Sequence, residues 1–257
     1  MTTKLKAIIM DGDGSTITAD HKLPDNLRDL IIANPQTKWI MATGRSLDLL
    51  SHLPIIDYLS KDVPHILDGG SRLMNVDGTS IIDFIISSDE LECFFAQLNP
   101  AKIDFLYYSL DHNNSFLYSQ NLDHWGKLAV FEKVNKCDNL AEYRETTKKS
   151  PPTKIFMRVN EFFELKNVTW HNNDQNIDFT AHGVNKGSTC CKLLELLNLS
   201  ANEVAFVFND RNDLPLVEHP ELQQITKIMV GDYLPEIKAD YHVDTPYDVA
   251  EVLAKLI

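Results

Sequence analysis

Two aspartates two residues apart, Asp11 and Asp13, stand in the run Asp11-Gly12-Asp13-Gly14-Ser15, directly after the apolar stretch Ala7-Ile8-Ile9-Met10. Two carboxylates, two glycines and a hydroxyl in one turn concentrate negative charge beside backbone donors. Such crowding calls for a cation, and ligands that are all oxygen suit Mg²⁺. A calcium loop of the EF-hand kind is excluded. Its sixth position wants glycine and its twelfth glutamate, where this chain has Thr16 and Lys22. Taken alone, the run is equally an Asp-Gly turn with solvated carboxylates, so its meaning depends on what else reaches the same place.

Three other clusters qualify. Thr43-Gly44-Arg45 follows a second apolar run and offers a hydroxyl and backbone N–H groups at a helix start, which suits a phosphate. Lys186, in Asn185-Lys186-Gly187, opens a helical pattern. Asn209-Asp210-Arg211-Asn212-Asp213 is a second acidic cluster after an apolar run. Singly, each has a plainer reading: Thr43 as a helix N-terminal residue, Lys186 as a solvated lysine, Arg45 and Arg211 as partners in local ion pairs of small worth.

The elements that must position these residues follow from the hydrophobic pattern. Residues 6–10, 39–42, 204–208 and 227–230 read as short buried strands. Helices are expected over 23–32, 46–58, 186–197, 212–217, 235–239 and 248–257. Alternating strands and helices with short connections imply a doubly wound parallel sheet, whose strands deliver ligand-binding residues at their C-terminal ends. The middle of the chain differs. Strands are expected at 103–108 and 115–119 around a hairpin turn at 111–114, and again at 154–159 and 176–180. Helices are expected at 90–98 and 140–148, with a surface break at Lys148-Lys149-Ser150-Pro151-Pro152. The chain therefore divides into a core of residues 1–83 and 182–257 and an α+β insert of residues 84–181.

The 257 residues have the composition of a globular protein, 44% hydrophobic and 24% charged. A formal net charge of −13 repels phosphate backbones, so nucleic acid is not an expected partner, whereas a small phosphorylated substrate is allowed. Cys93, Cys137, Cys190 and Cys191 form no C-x-x-C pair and read as reduced thiols. No signal segment or membrane-spanning stretch is apparent, so a cytoplasmic protein is expected.

With these motifs in order, the whole chain resembles the haloacid dehalogenase (HAD) superfamily of phosphotransferases. The shared pattern is D-x-D-G-[ST], then an apolar strand ending in [ST]-G-R, a distant lysine and a strand-terminal acidic motif. The insert resembles the α+β cap of the Cof-like branch, class IIB. Asp68-Gly69-Gly70-Ser71 resembles that branch's N-G-A turn, with Asp68 and Gly70 as departures, and Val230-Gly231-Asp232 and Ala239-Asp240-Tyr241-His242-Val243 resemble its tail. The resemblance implies a Rossmann-like core with an inserted cap and a Mg²⁺-dependent phosphatase, with a sugar phosphate or other small phosphorylated metabolite as substrate. It implies Asp11 as nucleophile and Asp13 as general acid and base. Ser15, Thr43, Gly44, Lys186 and Asn212 are implied as phosphate-binding, and Asp11, Asp13, Asn209, Asp210 and Asp213 as the metal-binding set.

One departure bears on the metal. Aligning Asn212-Asp213 with the family's Asn-Asp puts Phe208 where glycine is usual and Asn209 where the metal-binding aspartate is usual, which removes one negative charge; Asp210 is the neighbouring alternative. A phosphomutase, a nucleotide or cofactor phosphatase, and a phosphometabolite-binding protein without turnover stay open as rival readings. In the insert, Tyr107, Tyr108, His112, Trp125, Arg158, Trp170 and His171 are candidate substrate contacts.

Overall fold

The computed structural model describes residues 4–111, 114–128, 131, 133–173 and 175–257. The chain begins with β1 (Ala7–Met10), α1 (Asp25–Ala33), β2 (Lys38–Met41) and the one-turn helix α2 (Leu47–Leu50). Three short strands follow: β3 (His65–Leu67), β4 (Arg72–Met74) and β5 (Ser80–Asp83). The inserted segment holds α3 (Ser88–Gln97), β6 (Ile103–Asp111), β7 (Asn114–Tyr118), α4 (Leu122–Trp125), β8 (Asn135–Cys137), α5 (Leu140–Lys149), β9 (Lys154–Val159), β10 (Thr169–Asn173) and β11 (Asn176–Thr180). The chain then returns through α6 (Lys186–Leu197), β12 (Val204–Phe208), α7 (Leu214–Val217), β13 (Thr226–Val230), β14 (Tyr241–Val243) and α8 (Val249–Leu253).

The core sheet is all parallel in the order β14-β13-β12-β1-β2. Every residue of β1 and β12 is buried, as a parallel sheet covered on both faces requires. Alternate residues go to opposite layers. Ile8, Met10, Trp39 and Met41 pack with Leu27 and Ile31 of α1 and Val249 and Leu253 of α8. Ala7, Ile9, Ile40 and Phe206 pack with Leu193 and Leu194 of α6 and Leu216 and Val217 of α7. Each fully buried aliphatic side chain contributes about 1.5–3 kcal/mol of transfer free energy. β1 has β2 on one side and β12 on the other, so the strand order reverses direction there, and the C-terminal ends of β1 and β12 form the crevice where such sheets bind ligands.

The cap sheet runs β10-β11-β9-β6-β7-β8 and is separate from the core sheet. One face carries Leu106, Tyr108, Met157 and Phe179 against Phe94 and Phe95 of α3 and Tyr143 of α5. The other carries Phe105, Tyr107 and Phe156, packed with Leu49 of α2 from the core. Where the chain enters and leaves the cap, Glu90 in the first turn of α3 accepts the His182 N–H, tying the two crossing segments together. Residues 112 and 113 of the expected hairpin turn lie outside the described residues.

Several elements differ from expectation. Residues 235–239 form no helix: none of the five is fully buried, Ile237 and Ala239 alone pack in part against the core, and a single turn bond joins Ile237 N–H to Leu234 O. The helix expected over 46–58 stops after α2. Leu53, which precedes Pro54, is extended (φ −98°, ψ 137°), as the residue before proline prefers, and a 3₁₀ turn over Pro54–Tyr58 follows. The antiparallel sheet β3-β4-β5 was not anticipated. Its strands are too short to show a period. No helix among the described residues is long and apolar enough to cross a membrane.

Candidate active site

The turn after β1 is wound around one carbonyl. The N–H groups of Ser15, Thr16 and Ile17 all donate to Gly12 O, and Gly14 N–H donates to Ile17 O. Gly14 has φ +79°, and a Cβ there would lie 2.3 Å from Asn209 Nδ2. Glycine thus meets both the left-handed backbone and the close approach of the β12 loop. Thr16 Oγ1 donates to Asp11 O at 2.6 Å, and Ser15 Oγ lies 3.1 Å from Asp11 Oδ2 and 3.0 Å from Asn209 Oδ1. This fixes Asp11, which is almost wholly buried, at the mouth of the sheet.

Lys186 reaches the same carboxylate from the start of α6. Asn185 caps that helix, its Oδ1 accepting the Ser188 N–H while Ser188 Oγ accepts the Asn185 N–H. Gly70, at φ +104°, lets the turn after β3 press on the cap, since a Cβ would lie 2.3 Å from the Asn185 carbonyl carbon. Lys186 Nζ donates to Asp11 Oδ1 at 2.8 Å, Asp213 Oδ1 at 2.6 Å and Asn212 Oδ1 at 3.1 Å. Asp213 is fully buried, and its Oδ2 accepts the N–H groups of Asn209 and Asp210, both at 3.3 Å, so it shapes the acidic loop from inside. Burial raises the Asp11 carboxyl above the ordinary range against the pull of Lys186. Burial, then Asp11, pushes Asp213 up to about 7, with Lys186 again opposing. Burial also disfavours charge on Lys186, but the two carboxylates outweigh it and its pKa is raised.

Asp13 is half exposed and held differently. Arg45 Nε and Nη2 donate to its two oxygens at 2.7 and 2.8 Å, a bidentate pair. Arg45 is therefore no local partner but a bridge across 32 positions to the general acid and base implied by the motif. Thr43 Oγ1 accepts the Arg45 N–H, and Thr43 O and Arg45 O accept the N–H groups of Gly69 and Asp68. Asp68 adopts φ +52°, a region that aspartate and asparagine tolerate better than most residues. Behind this turn, His65 Nδ1 accepts the Met41 N–H, so its Nε2–H donates to Ser60 O.

These loops form the floor of a cavity of about 330 Å³ that has Asp11, Asp13, Thr43, Gly44, Asp210 and Asn212 in its lining. The cap supplies the roof, and only part of it was foreseen. Of the seven candidates in the insert, Tyr107, Tyr108 and His171 are among the lining residues, Tyr108 with its ring buried against α3 and α5. Burial lowers the His171 pKa, which favours the neutral ring. Trp125, Arg158 and Trp170 are not in the lining. The Arg158 guanidinium lies 5.6 Å from the Trp125 ring, and Trp170 donates to Leu165 O. His112 lies outside the described residues. Lys154, Phe156 and Asp178 line the roof and were missed. Their signal was present: Lys154 and Phe156 alternate with the buried Ile155, Met157 and Val159 of β9, and Asp178 lies between the buried Ile177 and Phe179 of β11. Arg211 faces Glu236 at 4.0 Å, away from this centre.

Among the described residues no three His, Cys, Asp or Glu side chains are grouped as a metal cage. A hard cation does not need one where an amide, a hydroxyl and main-chain carbonyls contribute. Asp11 Oδ2 and Asn209 Oδ1 converge on the Ser15 hydroxyl, and the Asn209 side chain is fixed over Gly14. This donor set is all oxygen and fits Mg²⁺ in kind.

Comparison with known proteins places this arrangement. A family profile describing haloacid dehalogenase-like hydrolases matches residues 8–239. Among solved structures, a phosphatase of the haloalkanoate superfamily from Bacteroides thetaiotaomicron superposes with a TM-score of 0.77 at 16% identity, covering 99% of this chain and 96% of its own. A protein from Thermotoga maritima gives 0.74 at 17% identity, covering 98% of each chain. A sugar phosphatase of HAD subclass IIB gives 0.74 at 16% identity, covering 97% of this chain and 98% of its own. No curated protein matches the sequence.

Proposed function

We propose that this chain, which belongs to the haloacid dehalogenase-like hydrolase family, is a Mg²⁺-dependent phosphatase with a cap of the subclass IIB kind, acting on a small phosphorylated metabolite of the sugar-phosphate class. The observation that carries the reading is the convergence on Asp11 of three segments: Ser15 of its own turn, Lys186 at the start of α6, and the loop after β12, whose Asn209 meets Ser15 and whose Asn212 meets Lys186. A carboxylate so confined, with a buried cation on one oxygen, is arranged to attack phosphorus along one direction.

In this reading Asp11 forms an aspartyl-phosphate, and Lys186, Ser15, Thr43, Asn212 and the Gly44 main chain hold the phosphoryl oxygens. Asp13 protonates the leaving alcohol and then takes a proton from water. Arg45 must slacken its hold for that, since its guanidinium occupies both oxygens of Asp13. Asp11, the Asp13 main-chain carbonyl and Asn209 would hold Mg²⁺, with Asp210 beside them. The ion's contribution when bound is to screen the anionic nucleophile from the anionic phosphoryl group. We assign Asp213 to holding the loop and Lys186 in place, because both its oxygens are occupied. We take the cap to be residues 84–181, closing over the site to exclude water. The free cysteines fit a reducing compartment such as the cytoplasm.

The test is phosphate release from a panel of phosphorylated metabolites with and without Mg²⁺. Mg²⁺-dependent release from a sugar phosphate is the expected result. Binding of phosphometabolites with no release from any, p-nitrophenyl phosphate included, would show a binding protein that has lost turnover.

A further inference from the structure

The roof of the cavity carries a row of side chains in register. His171 of β10 is opposite Asp178 of β11, Asp178 is opposite Phe156 of β9, and Phe156 is opposite Tyr107 of β6. Cross-strand partners share a face of the sheet, and all four of these line the cavity. At the usual strand spacing the row spans about 14 Å. The floor changes beneath it. β10 lies against the turn that holds Asn212, and His171, Asp178, Gly44, Lys186 and Asn212 border a narrow recess. Nearer the middle, Lys154 of β9 donates to Gly44 O. At the far end Leu49 of α2 packs in one cluster with Phe156, Tyr107 and Leu117, and Ser115 of β7 donates to Asp48 Oδ2 at 3.4 Å.

The row therefore has a phosphate end, under β10 and β11, and a leaving-group end, under β9 and β6. The first is polar, with Lys186 and Asn212 beneath it. The second is mostly carbon. Phe156 is only part-buried, and its uncovered side belongs to the cavity lining. Phe105 backs its ring at 5.6 Å between centroids, while the Lys154 ammonium, 5.8 Å from the ring centre, is committed to Asp178 and Gly44 O. Tyr107 is nearly buried and its hydroxyl lies 3.4 Å from Ser115 Oγ, so it braces this wall. Leu49, also part-buried, continues the wall from the core.

We propose that Phe156 and Leu49 form a leaving-group subsite that selects a ring: a cyclic sugar phosphate lays an apolar C–H face on this wall, and its open-chain counterpart has no such face to offer. This rests on the phosphatase reading and deepens it by naming the form of the substrate. A pyranose holds several C–H groups on one side of a rigid ring, and an aromatic face beside an aliphatic side chain removes them from water together. An open-chain polyol of the same length must freeze several torsions to present a comparable surface, and that entropy is lost from its binding.

Matched pairs of equal carbon count and charge test the subsite: glucose 6-phosphate against sorbitol 6-phosphate, and mannose 6-phosphate against mannitol 1-phosphate. The expected kcat/KM is about tenfold higher for the ring of each pair, mostly through KM. Phe156→Ala and Leu49→Ala should each narrow that ratio by about threefold or more, and Phe156→Tyr, which keeps the aromatic face, should preserve it. Mere loosening of the fold would lower both members of a pair alike. One position is in the cap and the other in the core, so the two variants are independent. Equal kcat/KM within both pairs, or ratios unmoved by both alanine variants, overturns the subsite. If no phosphomonoester is hydrolysed, the phosphatase reading fails by itself, and the same ranking is then read from calorimetric Kd values of the four compounds, where equal affinities overturn the subsite.

Discussion

On the floor of the cavity the charged groups are matched across loops. Lys186 joins Asp11 to Asp213, and Arg45 takes both oxygens of Asp13. The roof is one face of a mostly antiparallel sheet, where Tyr107 and Phe156 give an apolar wall and Lys154 and Asp178 an ion pair over the core. The floor is held by buried charge whose removal is costly; the roof is held by packing that tolerates exchange. A site made this way keeps one chemistry while its leaving-group side can change.

The largest effect that would break this contrast is on the floor. Asp11→Asn should cut phosphate release by about four orders of magnitude or more, because a covalent nucleophile is lost, with far-UV circular dichroism unchanged. Retention of a substantial fraction of turnover would remove Asp11 from its role.

Lys186→Met should cost about 3–5 kcal/mol of stability, since two buried carboxylates lose their cation. Denaturant midpoints measure it, and adding Asp213→Asn should recover part of the loss. A substitution in the roof such as Lys154→Met, whose partner Asp178 keeps some solvent contact, should cost clearly less. Equal losses would erase the distinction between floor and roof.

Acid should weaken the floor from beneath. Burial holds the His65 pKa down to about 4 from 6.5. A ring kept neutral in the folded state takes up protons more readily when unfolded. Its contribution is therefore complete above pH 6.5 and is lost as pH falls toward 4, by about 3 kcal/mol at most. Thermal melts across that window check it, and His65→Asn should flatten the pH dependence.

Two smaller effects sharpen the picture. Asp13→Ala should slow phosphorylation by a sugar phosphate about a hundredfold but by p-nitrophenyl phosphate much less, because only the alkoxide needs a proton; single-turnover kinetics separate the two. Asn209→Asp should lower the half-saturating Mg²⁺ concentration by about three- to tenfold, through one restored charge beside Ser15. If it does not, Asn209 is no ligand and Asp210 takes its place.

Much of this was legible before any coordinates. Short apolar runs ending in small or polar residues are nearly sufficient to declare a parallel sheet, because strands buried on both faces leave few other sequences possible. The order of the motifs therefore located Asp11, Asp13, Thr43, Lys186 and the 209–213 loop at one edge. The helix expected over 235–239 failed because propensity without a buried face does not hold a helix. The strands β3, β4 and β5 went unseen because three or four residues cannot display a period.

The sequence by itself determined the architecture and the chemical inventory, since burial periodicity and turn chemistry are local and each residue carries its own share of the signal. Only the tertiary structure decided the pairings. That Arg45 holds Asp13, that Lys186 spans Asp11 and Asp213, and that Asp178 of the cap hangs over Gly44 are contacts between segments 27 to 175 residues apart. Electrostatic and hydrogen-bond partners depend on distance in space, which a linear pattern does not encode, and it is those distances that give each carboxylate of this site its separate task.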